Sequence, residues 1–284
     1  MDAQVDARDA LRAKAHRENF PVASRILPRN LRETLLAVYA FARLTDDLGD
    51  EADGDRLAQL DWLEAELDRA VAGTSTHPVL QDLSAVLPGL DVGAQPFHDL
   101  IEANRQDQLV SSYATFDDLV AYCMLSAAPV GRVVLSAFGA SSPERVALSD
   151  QVCIGLQLVE HLQDLGEDAA RGRVYMPADD MARVGCRAAD LLAASASGQV
   201  RQLVALEGQR VRTLLASGRP LAASLSLRPR VAVVGFAAGG LAALDAIERA
   251  GGDVLTAPRR PSTLGIVRRA TGGLLGTLRA RRPT

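Results

Sequence analysis

Helical hydrophobic periodicity recurs along almost the whole sequence and constrains the fold more than any other feature. Apolar residues return at helical spacing in many segments, and no segment shows the convincing alternation that is typical of a half-buried strand. The predicted helices are 7–19, 29–49, 55–72, 79–87, 94–109, 116–126, 129–138, 143–165, 178–183, 188–195, 198–216 and 229–250. Short breaks containing Gly, Pro and Ser separate them. The sequence therefore predicts an all-α fold.

The bulk composition favours one domain with a basic tail. The chain has 284 residues and is 48% hydrophobic, which is enough to fill one large core, and no repeat or linker divides it. We predict a single domain over 1–284, with a basic and flexible tail from about 256. After Asp253 the sequence has arginines but no acid. Glycines and proline in 263–284 favour a solvated tail, and contact with a membrane surface is the alternative.

Composition also bears on compartment and partners. Three cysteines without paired spacing, and an N-terminus typical of neither a signal nor a transit peptide, predict a cytoplasmic protein, with peripheral contact to the inner membrane left open. The net charge of −4 gives no indication of nucleic-acid binding. The longest uncharged run, 231–244, is too short to span a bilayer and predicts a buried helix. Its Gly239 and Gly240 indicate close helix packing, with room for a long isoprenoid as the alternative.

The segment LTDDLGDE at 44–51 clusters four acids directly after a strongly apolar helical run. At about 100° per residue, Asp46 and Asp50 share a helical face with Leu35 and Tyr39. The acids thus continue an apolar, inward-looking stripe near a helix C-terminus, where the macrodipole disfavours negative charge. Acids on an apolar helical face, and acids near a helix C-terminus, are both locally unfavourable. Two unfavourable features at one place indicate a functional site.

A second acidic stretch, QLVEHLQDLGED, occupies 157–168. Its Glu160, Asp164 and Asp168 follow one another at i, i+4 spacing, where like charges oppose a helix by roughly 0.2–0.5 kcal/mol per pair. A solvated acidic face is one interpretation of this stretch, and a cation site is the other. Two carboxylate walls facing each other across a cavity would suit Mg²⁺ ions that bridge to a diphosphate.

These motifs resemble those of the squalene/phytoene synthase family of head-to-head prenyl synthases. YAFARLTDDLGDE (39–51) is similar to that family's first aspartate-rich motif, and LQLVEHLQDLGEDAARGRVYMP (156–177) resembles its second. DQLVSSYATFDDLVAYCMLSAAPVG (107–131) resembles the family's central segment. The resemblance covers roughly 16–257. It implies an all-α isoprenoid-synthase fold with helices around a central cavity, Mg²⁺ as cofactor and an isoprenoid diphosphate as substrate.

The resemblance also implies roles for individual residues. The implied metal ligands are Asp46, Asp50, Glu160, Asp164 and Asp168. The implied substrate-binding residues are His16, Arg43, Arg171, Arg173 and Tyr175. The implied catalytic residues are Tyr39, Arg43, Tyr122, Gln157 and Arg173. Phe41 is a further candidate, with Tyr39 and Tyr122, to face a carbocation with π density. Without the resemblance, the aromatic residues would be read as core and Arg171 and Arg173 as loop charges.

Three departures from the family pattern narrow the choice among the activities of the family. Glu160 stands where the family usually has asparagine, and AAPVG (127–131) and ENFPVAS (18–24) also differ from its common residues. With GGLAALDAIERAGGDVL (239–255), these features look like the branch of bacterial hopanoid biosynthesis that makes hydroxysqualene from presqualene diphosphate. The alternatives are a transferase making presqualene diphosphate, squalene or phytoene, and a noncatalytic helical partner subunit. Other enzymes of the pathway are expected partners in either case.

Overall fold

Helices account for the regular structure of the chain. The computed structural model describes residues 28–257 and 261–279. Within these ranges no strand forms, and the β-type pairing consists of an isolated bridge between Ser112 and Val174. The predicted all-α class is confirmed.

The chain forms two compact units, each of which we describe by itself. Unit 1 comprises the described residues up to Leu109 together with Pro129–Ser141, and unit 2 comprises Val110–Ala128 and the described residues from Ser142 onward. The elements of unit 1 are α1 (Arg29–Asp46), a π-helix (Asp47–Glu51), α2 (Arg56–Val71), α3 (Pro78–Val86), a 3₁₀ helix (Leu87–Gly89), α4 (Gln95–Leu109) and nearly all of α6 (Ala128–Ala137). The elements of unit 2 are α5 (Phe116–Ser126), α7 (Pro143–Gln163), α8 (Leu165–Ala170), α9 (Ala178–Val184), a 3₁₀ helix (Ala188–Leu192), α10 (Gly198–Ala216), α11 (Gly218–Ser224), α12 (Leu227–Arg249) and α13 (Thr263–Arg279). One domain over the whole chain stays a prediction.

Each predicted segment from 29 onward contains a helix near the predicted bounds, whereas 7–19 lies outside the described residues. The prediction missed α11, because the sequence SGRP was interpreted as a break. Pro220 lies in the first turn of that helix, where a missing N–H costs little. The structure also differs from the predicted solvated tail, because 263–279 form α13.

The core of unit 1 is built on leucines and phenylalanines from α1 to α4. Phe41 is fully buried and meets Phe97 edge-to-face, with ring centroids 5.2 Å apart. Leu60 and Leu63 of α2 are fully buried in the same cluster. Core side chains surround the ring of Phe41, and its role in facing a carbocation stays a prediction.

Glycines let the long helices of unit 2 approach closely. A Cβ atom added at Gly155 of α7 would lie 3.0 Å from Leu215 Cγ of α10. At Gly240 of α12 it would lie 2.7 Å from Leu156 Cδ2 and 3.0 Å from Leu215 Cδ1. A Cβ at Gly239 would meet nothing within 4 Å. Close packing explains Gly240 but not its neighbour.

We expect Gly240→Ala to lower the free energy of unfolding by about 1–2 kcal/mol, because overpacking costs more than the alanine gains in helix propensity. Gly239→Ala is the matched control, with an expected change between zero and a gain of about 1 kcal/mol. Chemical denaturation of both variants measures the difference. Equal stability of the two variants would contradict this account of the helix contact.

Two helical stretches, Phe116–Ala137 and Leu227–Arg249, are long and apolar enough to cross a bilayer by composition alone. In each, half of the apolar stretch is buried inside the protein, a property shared with core helices. The helix predicted at 231–244 forms within α12, which buries Val233, Val234 and most of its alanines but leaves Val231 exposed.

A buried ion cluster joins α9 and α10 in unit 2. Arg210 Nη1 donates to the carboxylates of Asp180 and Glu207, and its guanidinium lies 4.2 Å from the centroid of the Phe116 ring. Glu207 is 2% exposed. Burial raises the pKa of Glu207 to about 7 against the opposing charge of Arg210, and the negative charge of Asp180 adds to the rise. Arg210 therefore contacts two buried acids, and Arg183 Nη1 lies 3.4 Å from Asp180 Oδ1. The folded protein holds the proton of Glu207 more tightly than the unfolded chain does.

This cluster should make stability depend on pH. The folded state binds the Glu207 proton more tightly than the unfolded chain does, so its contribution is complete below the unfolded pKa of 4.5 and is lost as pH rises through about 7. Glu207→Gln removes the ionisation. We expect the free energy of unfolding of the wild type to fall by about 2 kcal/mol, relative to the variant, between about pH 5 and pH 8. Urea denaturation across this range measures it, and parallel pH profiles would refute it.

Candidate functional site

The first acidic motif forms the end of α1 and the π-helix that follows it. The amide of Ala52 donates to the carbonyl of Asp47 at 2.9 Å, which is the wider i→i+5 turn of a π-helix. Gly49 lies against Asn104 of α4, since a Cβ added at Gly49 would clash with Asn104 Oδ1. Gln108 donates to the Gly49 carbonyl at 3.0 Å. Two amide side chains, one helical turn apart on α4, thus hold the wide turn in place.

Asp46 and Asp50 are both accessible to solvent at this turn. Asn104 Nδ2 lies 3.5 Å from Asp46 Oδ1. Desolvation raises the pKa of Asp46 to about 6, the charge of Asp50 adds to the rise, and the contact with Asn104 opposes it. The Asp46 carboxylate is therefore reachable yet poorly stabilised in its ionised form, which is the electrostatic setting that a cation would relieve.

Arg43 pairs with acids of its own motif. Its Nη2 lies 2.7 Å from Asp47 Oδ1 and 2.7 Å from Glu51 Oε1, and its side chain is 20% exposed. Arg43 is a predicted substrate-binding residue, and neither of these acidic partners was predicted for it. The spacing 43, 47, 51 is the signal that could have found them, since it places all three on one helical face.

The contact of Gly49 with Asn104 gives a sharp test of how the turn is held. Gly49→Ala should lower the free energy of unfolding by about 1–3 kcal/mol, because Asn104 must leave its place beside Asp46. Asn104→Ala removes the clashing atoms, so the double variant should regain most of that loss. A double-mutant cycle measured by thermal unfolding gives the coupling energy. Additive losses would mean that the two residues do not press on each other.

The second acidic motif lies where α7 ends and α8 begins. Asp164 separates the two helices with φ −100° and ψ 11°, so the helix predicted over 143–165 ends at Gln163 and a second short helix carries Asp168. Glu160 and Asp164 are exposed and Asp168 is half-buried. Desolvation raises the pKa of Asp164, and the neighbouring charges of Asp168 and Glu167 add to it. As at Asp46, an accessible carboxylate has too little positive charge nearby to stabilise its ionised form.

The segment after α8 is fixed by a turn and two backbone contacts. Gly172 has φ +81°, a left-handed conformation that favours glycine and reverses the chain. The amide of Val174 then donates to Ser111 at 2.8 Å, and that of Ala178 donates to Tyr113 at 2.9 Å. These bonds bring Tyr175 beside Tyr113. Arg171 is exposed at the turn and Arg173 is half-buried just after it.

Three tyrosines and one histidine form a buried aromatic cluster in unit 2, consisting of Tyr113, Tyr122, His161 and Tyr175. His161 stacks on Tyr175 with centroids 3.8 Å apart, and the Tyr122 and Tyr175 centroids are 5.7 Å apart. The Gln157 amide nitrogen lies 3.4 Å from His161 Nε2, and His161 Nδ1 lies 3.9 Å from Asp168 Oδ2. The structure thus brings together three of the predicted site residues, Tyr122, Gln157 and Tyr175.

His161 is the member of this cluster that is not among the predicted site residues. The available signal was its position one helical turn after Gln157, on the buried side of the acidic helix. Of the other predicted residues, Tyr39 is half-buried on α1, and His16 lies outside the described residues. The facing of the two acid clusters stays a prediction, since they belong to different units.

The carboxylates suit a magnesium ion that keeps some of its waters better than they suit a metal ion enclosed entirely by protein ligands. Among residues 28–257 and 261–279, no three His, Cys, Asp or Glu side chains come together as a ready metal site. Mg²⁺ commonly takes one or two carboxylates and completes its shell with waters and phosphate oxygens. Accessible aspartates with raised pKa values, such as Asp46 and Asp164, fit such an ion.

Comparison with known proteins places the chain in a family. The family model described as squalene/phytoene synthase matches residues 13–265. The hydroxysqualene synthase of Rhodopseudomonas palustris is 41% identical over 230 residues, which cover 78% of this chain and 76% of that protein. The phytoene synthase of Arthrospira platensis is 32% identical over 210 residues, covering 69% and 68%.

A solved structure supports the same assignment. The squalene synthase HpnC from Alicyclobacillus acidocaldarius is 42% identical, with a TM-score of 0.79 over 88% of this chain and 96% of its own. Sequence motifs, an all-α fold and these likenesses agree over most of the length. The chain belongs to the squalene/phytoene synthase family and is an enzyme of the all-α isoprenoid-synthase fold.

Proposed function

We propose that this enzyme converts presqualene diphosphate and water into hydroxysqualene and diphosphate in the cytoplasm. The observation that carries the proposal is the 41% identity to a relative named hydroxysqualene synthase. The departures from the common family pattern at Glu160 and in 127–131 agree with this branch.

Both acid motifs would serve the departing diphosphate. Asp46 and Asp50 on one motif, and Glu160, Asp164 and Asp168 on the other, would hold Mg²⁺. When bound, the metal supplies positive charge to the diphosphate oxygens as the ester bond breaks. The raised pKa values of Asp46 and Asp164 support the assignment, because a nearby dication would stabilise the ionised carboxylates.

Arginines would provide the second source of positive charge. Arg43 would bind diphosphate oxygens while keeping its place through Asp47 and Glu51, which hold the guanidinium from one edge. Arg173 follows the Gly172 turn and Arg171 precedes it, so both arise from one tightly fixed segment. Charge aimed at the leaving group lowers the barrier to its departure.

The aromatic cluster would accommodate the carbocation. Heterolysis of the carbon–oxygen bond leaves diphosphate with the electron pair and a cyclopropylcarbinyl cation. Tyr122 and Tyr175 would offer π density to that cation during its rearrangement, and Tyr39 stays a predicted catalytic residue. The oxygen of one water then forms the new carbon–oxygen bond and releases one proton, which balances the reaction.

Two observations favour specific alternatives. The similar solved structure is that of a protein named squalene synthase, which points to capture of the same cation by hydride from NADPH. The likeness to a phytoene synthase points to coupling of two prenyl diphosphates. A noncatalytic partner subunit with this fold is the alternative of another class.

The decisive experiment supplies purified protein and Mg²⁺ with presqualene diphosphate in ¹⁸O-water, with and without NADPH. We expect labelled hydroxysqualene under both conditions. Squalene formed only with NADPH would move the assignment to a squalene synthase. Product from farnesyl or geranylgeranyl diphosphate would indicate coupling, and no turnover of any substrate would indicate a partner subunit.

Matched variants test the assigned metal ligands in the same assay. Asp46→Asn and Asp164→Asn should each lower kcat/KM by at least about 100-fold, since several kcal/mol of charge stabilisation would be lost. Asp68→Asn removes an exposed carboxylate of α2 and is the control, with activity expected to match the wild type. Full activity of Asp46→Asn or Asp164→Asn would exclude that residue as a ligand.

A further inference from the structure

His161 of α7 lies in the buried aromatic cluster of unit 2, with a polar neighbour at each ring nitrogen. Its side chain is 7% exposed. Its ring stacks on Tyr175 with the centroids 3.8 Å apart and the ring planes 16° apart, and the Tyr122 centroid is 6.3 Å away. Because this stack fixes the plane of the imidazole, it also fixes the directions in which the two nitrogens point.

The two polar neighbours indicate which nitrogen carries the proton of the neutral imidazole. The Gln157 amide nitrogen lies 3.4 Å from His161 Nε2, and an amide nitrogen can only donate, so Nε2 accepts. The Asp168 carboxylate oxygen Oδ2 lies 3.9 Å from His161 Nδ1, and its negative charge favours a proton on that nitrogen. Both neighbours therefore favour the tautomer with the proton on Nδ1.

The hydrogen bond to His161 also fixes the oxygen of the Gln157 amide. The amide group is planar, so holding its nitrogen on the imidazole leaves its oxygen pointing away from the ring. That oxygen forms no hydrogen bond with any residue in 28–257 or 261–279. Gln157 is half-buried one helical turn before His161, so an amide oxygen is available as an acceptor beside the aromatic cluster.

We propose that His161 is a positioning residue that orients Gln157, whose amide oxygen binds the water that captures the carbocation. This inference rests on the proposed conversion of presqualene diphosphate to hydroxysqualene. The water oxygen supplies the electron pair of the new carbon–oxygen bond, and the water then loses one proton. The departed diphosphate takes that proton, since an amide oxygen is too weak a base to do so. The hydrogen bond to Gln157 fixes the direction of the attacking lone pair.

The surroundings of His161 explain why a single held water would decide the product. Tyr113, Tyr122 and Tyr175 are between 4% and 7% exposed, so their rings have little contact with solvent. A carbocation held beside these rings would meet little bulk water. Capture would then depend on a water that a fixed acceptor holds in the correct direction.

Nitrogen-15 NMR of the histidine rings tests the positioning without substrate or metal. The full chain carries label in its histidines, and the resonances that disappear in His161→Phe identify His161. In mildly alkaline buffer we expect the neutral ring with its proton on Nδ1. A proton on Nε2, alone or together with one on Nδ1, would require the Gln157 amide oxygen to face the ring, and it would overturn the proposal.

Two substitutions at His161 separate the ring from the hydrogen bond. His161→Phe keeps a ring to stack on Tyr175 but removes the acceptor for Gln157, whereas His161→Gln restores an acceptor without the ring. With presqualene diphosphate and Mg²⁺, the measured quantity is hydroxysqualene formed per diphosphate released. We expect this ratio to fall about threefold to tenfold in His161→Phe, the effect of one lost hydrogen bond, and to recover in His161→Gln. His98→Phe makes the same change in unit 1 and should keep the wild-type ratio.

The product ratio distinguishes positioning from stability, because a loosened fold would slow diphosphate release and hydroxysqualene formation together. Gln157→Leu should lower the ratio as His161→Phe does, and the double variant should lower it no further. If the wild type forms hydroxysqualene and His161→Phe keeps its ratio, the inference alone is overturned. A wild type that forms no hydroxysqualene overturns the proposed function and the water step with it.

Discussion

Repulsion between clustered carboxylates is the electrostatic constraint that shapes the charged side-chain contacts in both units of this protein. Arginines pair with some of the crowded acids. Arg43 pairs with Asp47 and Glu51, and Arg210 pairs with Asp180 and Glu207. Burial still raises the pKa of Glu207, and the pKa values of Asp46 and Asp164 are raised although both residues are accessible to solvent. The two accessible acids lie in the motifs that resemble aspartate-rich diphosphate sites.

The helical framework keeps those acids from relaxing. In unit 1, Asn104 and Gln108 of α4 fix the π-helix that carries Asp50, and a residue larger than Gly49 would not fit there. In unit 2, α7 is packed through glycines against α10 and α12, so its acidic end is attached to a rigid body. A flexible chain would spread like charges apart, whereas these positions cannot do so. Local strain is therefore sustained by packing elsewhere, as expected at a functional site.

Sequence periodicity predicted the helices well and their interruptions poorly. The break at Asp164 and the π-helix after Asp46 both lie inside apolar-periodic runs, and periodicity assumes one uniform helical pitch. The helix α13 was missed because its glycines lower intrinsic helix propensity. Those glycines are tolerated since they permit close contact with α12, which is a tertiary gain that no local rule includes.

The sequence by itself determined the all-α class, the two acidic motifs and the family, because each depends on residue type and spacing along the chain. Only the tertiary structure decided which side chains meet. It enclosed Phe41 in the core against Phe97 and stacked His161 on Tyr175. These outcomes depend on how separate helices pack and on which charges are desolvated together. Both are properties of atoms distant in sequence, and spacing within a single helix does not encode them.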